Sequence, residues 1–426
     1  MKVLVIGSGG REHALVAAIG ASPSCGEVVC APGNPGIAQL ARCIATDGSV
    51  EDLERLARRE GPDLVVIGPE APLVGGLADR LRAADIDVFG PGADGARLEG
   101  SKWHAKELLQ AADVRTANAQ RFTEFEDAAA FVEAVGAPMV VKADGLAAGK
   151  GVVVAMDVET AVDALRDALL DERFGVAGAS VVLEECLEGP ELSVLALVSG
   201  SDVRVLAPAR DHKRAYDGDL GPNTGGMGAV CPPADADDEL LEIVEREVLR
   251  PVVDELARRG VDYRGVLYAG LMLTADGPSV IEFNVRFGDP EAQVVLPRLR
   301  GDVALLLQAV ARGELADAPE LEWDDRVAVG VVVAAQGYPA RPKVGDAIEL
   351  SDEPSDAVVF HSGTTLDADG VLRTSGGRVM TVVGFGDDAD AARAAATAAA
   401  SRVHFDGAWH RSDIAAASAL VPTGAR

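Results

Sequence analysis

Apolar residues in the first hundred positions fall into short unbroken runs rather than alternating ones. Val3-Leu4-Val5-Ile6 comes first, followed by Val28-Val29-Cys30, Leu64-Val65-Val66-Ile67 and Asp87-Val88-Phe89, with helical patterning between them that begins near Arg11. A short continuous apolar run predicts a strand buried on both faces, and strands alternating with helices predict a parallel sheet covered on both sides. A second set, Met139-Val140-Val141-Lys142, Val152-Val153-Val154-Ala155 and Val181-Val182-Leu183-Glu184, brackets a glycine-rich loop and a helix near 161–170. A third set occupies 192–198, 266–273 and 280–284. From about Trp323 the chain mixes strand-like runs at 328–335, 358–360 and 378–383 with an alanine-rich helix near 389–400, which predicts a small α/β cap. No internal repeat is visible.

Length and composition narrow the class. The chain has 426 residues, 48% of them hydrophobic and 25% charged, enough for two to four globular domains at roughly 150 residues each. No stretch approaches the roughly 18 consecutive apolar residues of a membrane span, and the first residues open a strand rather than a leader, so a cytoplasmic protein with no membrane partner is expected. Cys25, Cys30, Cys43, Cys186 and Cys231 are odd in number and lack C-x-x-C spacing, which predicts neither a disulfide framework nor a zinc site. The net charge of −29 makes nucleic acid a poor partner. Seven of the 39 basic residues are lysine. GC-rich coding alone could produce that skew; lysine depletion together with such acidity also fits a cytoplasm at molar salt, where the Debye length falls to about 3 Å, so a halophilic host is expected.

Five segments carry chemistry. Gly7-Ser8-Gly9-Gly10-Arg11-Glu12-His13 joins a strand to a helix, where glycines let backbone N–H groups approach an anion at the helix start. The third glycine of the dinucleotide fingerprint is missing, as is an acidic strand end about 20 residues on. A tight turn, a phosphate or small-substrate cradle and a dinucleotide site all stay open here; His13 is expected to be structural. Lys142-Ala143-Asp144-Gly145-Leu146-Ala147-Ala148-Gly149-Lys150-Gly151 offers lysine charge and glycine backbone donors to phosphates, against a solvated hairpin. Gly151 stands where a Walker A loop needs Ser or Thr. Lys102, at a plausible helix start, is a third cation.

Glu184-Glu185-Cys186-Leu187-Glu188-Gly189-Pro190-Glu191 runs from a strand into paired acids; it reads either as a nucleotide-base and ribose contact or as an acidic strand end. Glu282, Asn284 and Arg286 project to one face of a strand, because side chains alternate with period two. Glu282 and Asn284 are hard oxygen ligands suited to Mg²⁺, and Arg286 is suited to clamping a carboxylate or phosphoryl group, with a buried ion pair as the alternative. Asp211-His212-Lys213-Arg214 precedes Gly221-Pro222-Asn223-Thr224-Gly225-Gly226-Met227-Gly228, a composition that argues against a helix or central strand and reads as a loop over substrate or, in the alternative, a passive surface loop.

These segments together resemble the ATP-grasp superfamily and, within it, the phosphoribosylamine-glycine ligase (glycinamide ribonucleotide synthetase) family of purine synthesis. The resemblance covers essentially the whole chain and rests on residues 7–14, 68–73, 142–151, 211–214, 221–228 and 286–293, the last being close to a family signature. It implies an α/β ATP-grasp fold with an N-terminal doubly wound parallel-sheet domain over 1–104, a catalytic domain over 105–322 with a lid at about 120–190, and a small C-terminal α/β cap over 323–426. It also implies ATP and Mg²⁺ (or Mn²⁺) as cofactors and a monomeric enzyme.

Carried over by position, the resemblance implies ATP contacts from Lys102, Lys142, Gly149, Lys150, Gly151, Glu184, Glu185 and Leu187, with Glu191 on the ribose. Glu282 and Asn284 match two metal positions. Several wider relatives have a further acid on the preceding strand, where this chain has Ala269-Gly270-Leu271. Arg286, Asp289, Asp211 and Lys213, with Asn223, Thr224, Gly225 and Gly226, border the place where glycine is activated. Gly9, Gly10, Arg11, Pro69 and Glu70 hold the phosphoribosylamine. The implied reaction joins glycine to that amine through glycyl phosphate, releasing ADP and phosphate. A nicotinamide oxidoreductase would leave 142–151 and 282–286 unused; an ATP-binding regulator would not need Arg286 or 221–228; a bicarbonate- or formate-activating ligase would differ in which acid drives ADP release.

Overall fold

The computed structural model describes residues 1–147, 151–351 and 357–416. Its first sheet has five parallel strands in the spatial order Arg42–Cys43, Glu27–Pro32, Lys2–Gly7, Leu64–Ile67, Val88–Phe89. All four residues of Leu64–Ile67 are buried, as are Val3 to Gly7, which is why these runs read as continuous. Lys2–Gly7 lies in the middle, and the strand order reverses across it. The carboxyl end of that strand is therefore the switch-point crevice where open α/β sheets bind ligands.

A four-stranded antiparallel sheet follows, in the order Ala119–Phe122, Val181–Glu185, Met139–Ala143, Val152–Ala155, backed by helices Phe125–Val135 and Val158–Leu169. Its core, which includes Val132, Val141, Leu165 and Leu183, is a separate small cluster. The next sheet is also antiparallel: Asp202–Val205, Glu191–Ser199, Arg264–Thr274, Gly277–Asn284. It shares its core with the first sheet. Leu4 and Val65 cluster with Val194, Leu267 and Phe283, while Val3 and Val5 cluster with Leu195 and Val266. Burying apolar surface common to both units joins them into one mass.

The C-terminal sheet is not built from the tail alone. Its order is Arg210–Asp211, Gly228–Cys231, Val327–Ala334, Arg378–Gly386, Ala357–His361, all antiparallel. The expectation that the glycine-rich segment could not enter a central strand needs correction: Leu220–Asn223 forms a hairpin with Arg214–Tyr216, and Gly228 starts an interior strand. Close approach explains the glycine. A Cβ at Gly228 would lie 2.4 Å from the Gly330 carbonyl and 2.9 Å from Ile414. The same logic accounts for the alanine-rich helix Ala389–Ala400, because Cβ atoms at Gly384 and Gly386 would meet its backbone at 2.3 and 2.5 Å. Among the described residues no helix is long and apolar enough to cross a membrane.

Candidate active site

At the switch point, Glu12 turns back to the start of its own helix, Gly10–Gly20, and its Oε2 accepts from Gly9 N at 2.6 Å. The Glu12 side chain fills space which side chains at Gly7 and Gly68 would occupy; added Cβ atoms would sit 2.5 Å from its Cγ and 2.2 Å from its Oε1. Arg11 Nε pairs with Glu12 Oε1 at 2.6 Å, and Arg11 Nη1 donates to the Phe287 carbonyl at 3.2 Å. Gly10 is hemmed in by two other parts of the chain, since a Cβ there would lie 2.6 Å from both Gln293 Nε2 and Ser362 Oγ. His13 is a structural group. Its Nδ1 accepts from His361 N at 2.8 Å, and burial, then His361, pushes its pKa down to about 3.

Four of the seven lysines gather around the next part of the site. Lys142 Nζ donates to the Ile281 carbonyl at 2.8 Å and lies 2.9 Å from Glu184 Oε2. Lys106 Nζ lies 3.3 Å from Glu184 Oε1 and donates to Thr116 Oγ1 and the Ala117 carbonyl at 2.8 and 2.9 Å. Burial brings Lys106 down to about 8 despite Glu184. Lys102 Nζ donates to the Gly145 carbonyl at 3.0 Å; its helix, Lys102–Ala111, is capped by Ser101. Asp144 locks that helix start by accepting from Ser101 Oγ and Trp103 N at 3.0 and 2.8 Å. Lys142 and Lys102 thus converge with Lys213 on the strand carrying Ile281 and Glu282.

The expected adenine segment divides. The Glu184 side chain is turned inward to the lysines, while Glu185 leaves the strand outward and accepts from Asn118 N at 2.9 Å. Leu187 is half-buried. Gly151 immediately precedes the return strand Val152–Ala155; Gly149 and Lys150 lie outside the described residues.

Lys213 is held between the expected ribose and metal positions. Its Nζ is 2.7 Å from Glu191 Oε2 and 3.4 Å from Glu282 Oε1. Burial works against the ammonium, but Glu191, Glu282 and Asp211 outweigh it and hold the group well above its ordinary range. The Lys213 charge, against burial and with Lys142 and Lys102 adding to it, keeps Glu282 ionised down to about 2. Burial pushes the Asp211 carboxyl well up against the pull of Lys213, and Glu291, Glu191 and Glu282 add to it. Gly270 stands opposite Glu282 on the neighbouring strand, and a Cβ there would crowd Glu282 Cγ at 3.0 Å. Among the described residues no group of three or more His, Cys, Asp or Glu could hold a metal ion. Glu282 and Asn284 still fit Mg²⁺ or Mn²⁺ delivered with nucleotide, because such ions usually take one or two protein oxygens and complete their shell with phosphates and water.

Arg286 lies just past the strand that carries Glu282 and Asn284. Its Nη2 donates to Glu99 Oε1 at 2.6 Å and to Asn284 Oδ1 at 3.1 Å, and its Nε reaches Glu70 Oε2 at 3.4 Å. The buried ion pair held open as an alternative is therefore present. Asp289 accepts from Gln293 Nε2 at 2.8 Å and lies 3.2 Å from Arg378 Nη1. A Cβ on Gly9 would come within 3.4 Å of Asp289 Oδ2, so the two glycine segments converge here. Pro69 caps the short helix that begins at Glu70. In the 221–228 loop, Thr224 N and Oγ1 both donate to the Lys213 carbonyl, at 2.8 and 2.9 Å, and Gly226 N donates back to Thr224 Oγ1 at 3.0 Å. Asn223 ends the hairpin strand that leads into it.

Sequence reasoning missed Lys106, Glu99, Gln293, Tyr338 and Arg378. Lys106 had a signal, being one turn beyond Lys102 in a lysine-poor chain. Glu99 and Arg378 had none, because their partners lie 187 and 153 positions away. As a whole, the arrangement offers cations for phosphates, hard oxygens for a divalent ion, and a helix start beside Arg11 and Arg286, which both donate to the Phe287 carbonyl.

Three models of one family match the chain in order: phosphoribosylglycinamide synthetase N domain over residues 1–99, its ATP-grasp (A) domain over 100–292 and its C domain over 328–417. The phosphoribosylamine-glycine ligase of Streptomyces coelicolor is 50% identical across 98% of this chain and 100% of its own length. That of Nostoc sp. is 47% identical across 97% and 99%. The crystal structure of the Thermotoga maritima phosphoribosylamine-glycine ligase superposes with a TM-score of 0.84 at 34% identity, covering 97% of this chain and 100% of that one. A biotin carboxylase domain from Hydrogenobacter thermophilus, in complex with MgADP, shares the fold at a TM-score of 0.74 and 17% identity, covering 96% and 91%. The chain belongs to the phosphoribosylglycinamide synthetase family and has the ATP-grasp fold.

Proposed function

We propose that this enzyme uses ATP to join glycine to 5-phosphoribosylamine, giving glycinamide ribonucleotide, ADP and phosphate in purine biosynthesis. Full-length identity of about half to ligases of that name carries the reading. The local geometry supports it, because Lys102, Lys142 and Lys213 surround Glu282, two residues before Asn284 and four before Arg286.

A carboxylate oxygen is a poor leaving group, so glycine must be phosphorylated before an amine can displace it. Lys102 and Lys142 hold the phosphate chain and spread the charge of the moving γ-phosphoryl group. Gly149, Lys150 and Gly151 continue that cradle, the 185–187 backbone edges the adenine, and Glu191 takes the ribose hydroxyls. Glu282 and Asn284 hold Mg²⁺ or Mn²⁺, which when bound neutralises charge on the phosphoryl oxygens. Arg286, Asp289 and Asp211, with residues 223–226, orient glycine; Gly9, Gly10, Arg11, Pro69 and Glu70 seat the amine substrate at the helix start. Because acyl phosphates hydrolyse, alignment and water exclusion matter, and positioning of this kind is worth about 7–11 kcal/mol.

The same reading has the enzyme monomeric and cytoplasmic, and the net charge of −29 supports working at molar salt. ADP release is the test, measured with Mg²⁺-ATP in molar KCl while glycine and phosphoribosylamine are omitted in turn. Release requiring both is expected. Release driven by bicarbonate or formate would overturn the substrate, and unchanged activity and melting temperature in 0.05 M KCl would overturn the salt adaptation.

A further inference from the structure

The 221–228 loop is gripped at one residue, through the peptide on either side of it, by two side chains of the C-terminal unit. Gly225 N donates to Tyr338 Oη at 3.1 Å, and the Gly225 carbonyl accepts from Arg378 Nη1 at 2.6 Å. The same Nη1 donates to the Asp289 carbonyl at 2.8 Å and lies 3.2 Å from Asp289 Oδ1. One guanidinium nitrogen thus ties the glycine-rich loop to the segment that follows Arg286. The local sequence is shaped around this grip. A Cβ on Gly225 would press on Arg378 Cζ at 3.1 Å, one on Gly226 would collide with Pro290 Cδ at 2.4 Å, and one on Gly377 would strike the Tyr338 ring at 2.1 Å. Gly226 also needs its positive φ of 105°. Arg378 itself starts the strand Arg378–Gly386, whose neighbour Val327–Ala334 pairs with Gly228–Cys231, so the base of the loop and the residue that clamps it belong to one sheet.

We propose that Arg378 and Tyr338 are positioning residues for acid activation: they fix Gly225, by the peptides on either side of it, against Asp289 and so set the pocket in which glycine meets the γ-phosphoryl group. Neither needs to touch the reacting atoms. The idea rests on the reading that the 221–228 loop borders the glycine site. Because a single nitrogen makes all three Arg378 contacts, a point donor suffices, and the flat fork of a guanidinium is not required here.

Arg378→Lys, Arg378→Met and Tyr338→Phe, each in the full chain, test this, with Thr224→Ala as the probe of the loop itself. A lost hydrogen bond at one peptide predicts a rise of about fivefold in glycine KM for Tyr338→Phe and a fall of about 20-fold or more in kcat/KM for glycine in Arg378→Met. ATP KM should stay within about twofold, and Arg378→Lys should recover most of the loss. Tyr338→Phe deletes one hydroxyl and keeps the ring, so it reports even if Arg378→Met folds poorly. Equal changes in the ATP and glycine constants, tracking a lowered melting temperature, would make the grip merely structural and overturn the proposal. No rescue by lysine would overturn the point-donor argument. If Thr224→Ala shifts glycine KM while Arg378→Met and Tyr338→Phe do not, the grip is refuted and the loop assignment stands; if none of them shifts it, the loop assignment falls.

Discussion

Replacing Arg286 with methionine should cost stability as well as activity. The guanidinium side chain is 16% exposed and its main partner, the Glu99 carboxylate, 8%. Glu99 Oε2 also accepts from Val285 N at 2.9 Å, so the acid cannot swing out to water without breaking a backbone bond. Burial already pushes the Glu99 carboxyl up with Arg286 in place, and Glu70 adds to it. Removing the cation leaves an uncompensated buried charge, a change that costs about 3–5 kcal/mol. Glu99 will then take up a proton more readily than in the unfolded chain. A carboxyl whose pKa is raised by folding loses stability as pH rises above its unfolded value near 4.5, so Arg286→Met should be more damaged at pH 8 than at pH 5.5. Arg286→Met/Glu99→Gln removes the stranded charge and should recover at least about half of the loss. Urea unfolding followed by circular dichroism at both pH values gives all four corners of the cycle. A penalty below about 1 kcal/mol for Arg286→Met, or a double variant as unstable as the sum of the single ones, would refute the reasoning.

Other consequences are more direct. Glu282→Gln should cut turnover by at least about 100-fold at saturating ATP while leaving the circular dichroism spectrum unchanged; near-normal turnover would remove Glu282 from the metal site. Gly10→Ala places a methyl 2.6 Å from Gln293 and Ser362, so the KM for phosphoribosylamine should rise about tenfold or more with the glycine constant little changed. Burial holds His13 down to about 3 and His361 and His212 to about 4, so each must be kept neutral against an unfolded value near 6.5. Stability should therefore fall as pH drops from 6.5 toward 4, by on the order of 2 kcal/mol per histidine at pH 5, and His13→Asn should flatten the urea-midpoint profile over that window. A profile as steep as that of the parent protein would count against a neutral His13.

Much of the site was legible because its groups sit on local motifs. Glycine before a helix, lysine at a strand end and oxygen ligands at alternate strand positions each have a short-range signature, and the parallel sheet follows from continuous apolar runs. What stayed hidden depends on distant pairing. Glu99 and Arg378 look like ordinary surface charges until the fold sets them against Arg286 and Gly225. The 221–228 segment misled for the opposite reason: its glycines read as a loop, whereas Gly228 is small so that an interior strand can lie against Gly330. Gly384 and Gly386 resisted reading in the same way, since only the alanine-rich helix packed on them gives their size a purpose.

The borrowed strand has a consequence for how the molecule is made. Gly228–Cys231 finds its partner in Val327–Ala334, whose Ala328 opposite Cys231 is translated roughly 100 residues later. At about 5–20 residues per second, a ribosome leaves that edge of the strand unpaired for roughly 5–20 s, with only Arg210–Asp211 on its other side. During that interval the glycine-rich loop has no fixed base and Arg378 does not yet exist to clamp it. The nascent chain therefore carries a finished N-terminal sheet next to an unfinished active site, and no truncated product that stops before Val327 can become a partly working ligase. It would instead display an apolar strand edge open to pairing with other chains, which makes the last hundred residues a checkpoint on the catalytic centre as much as a cover for it.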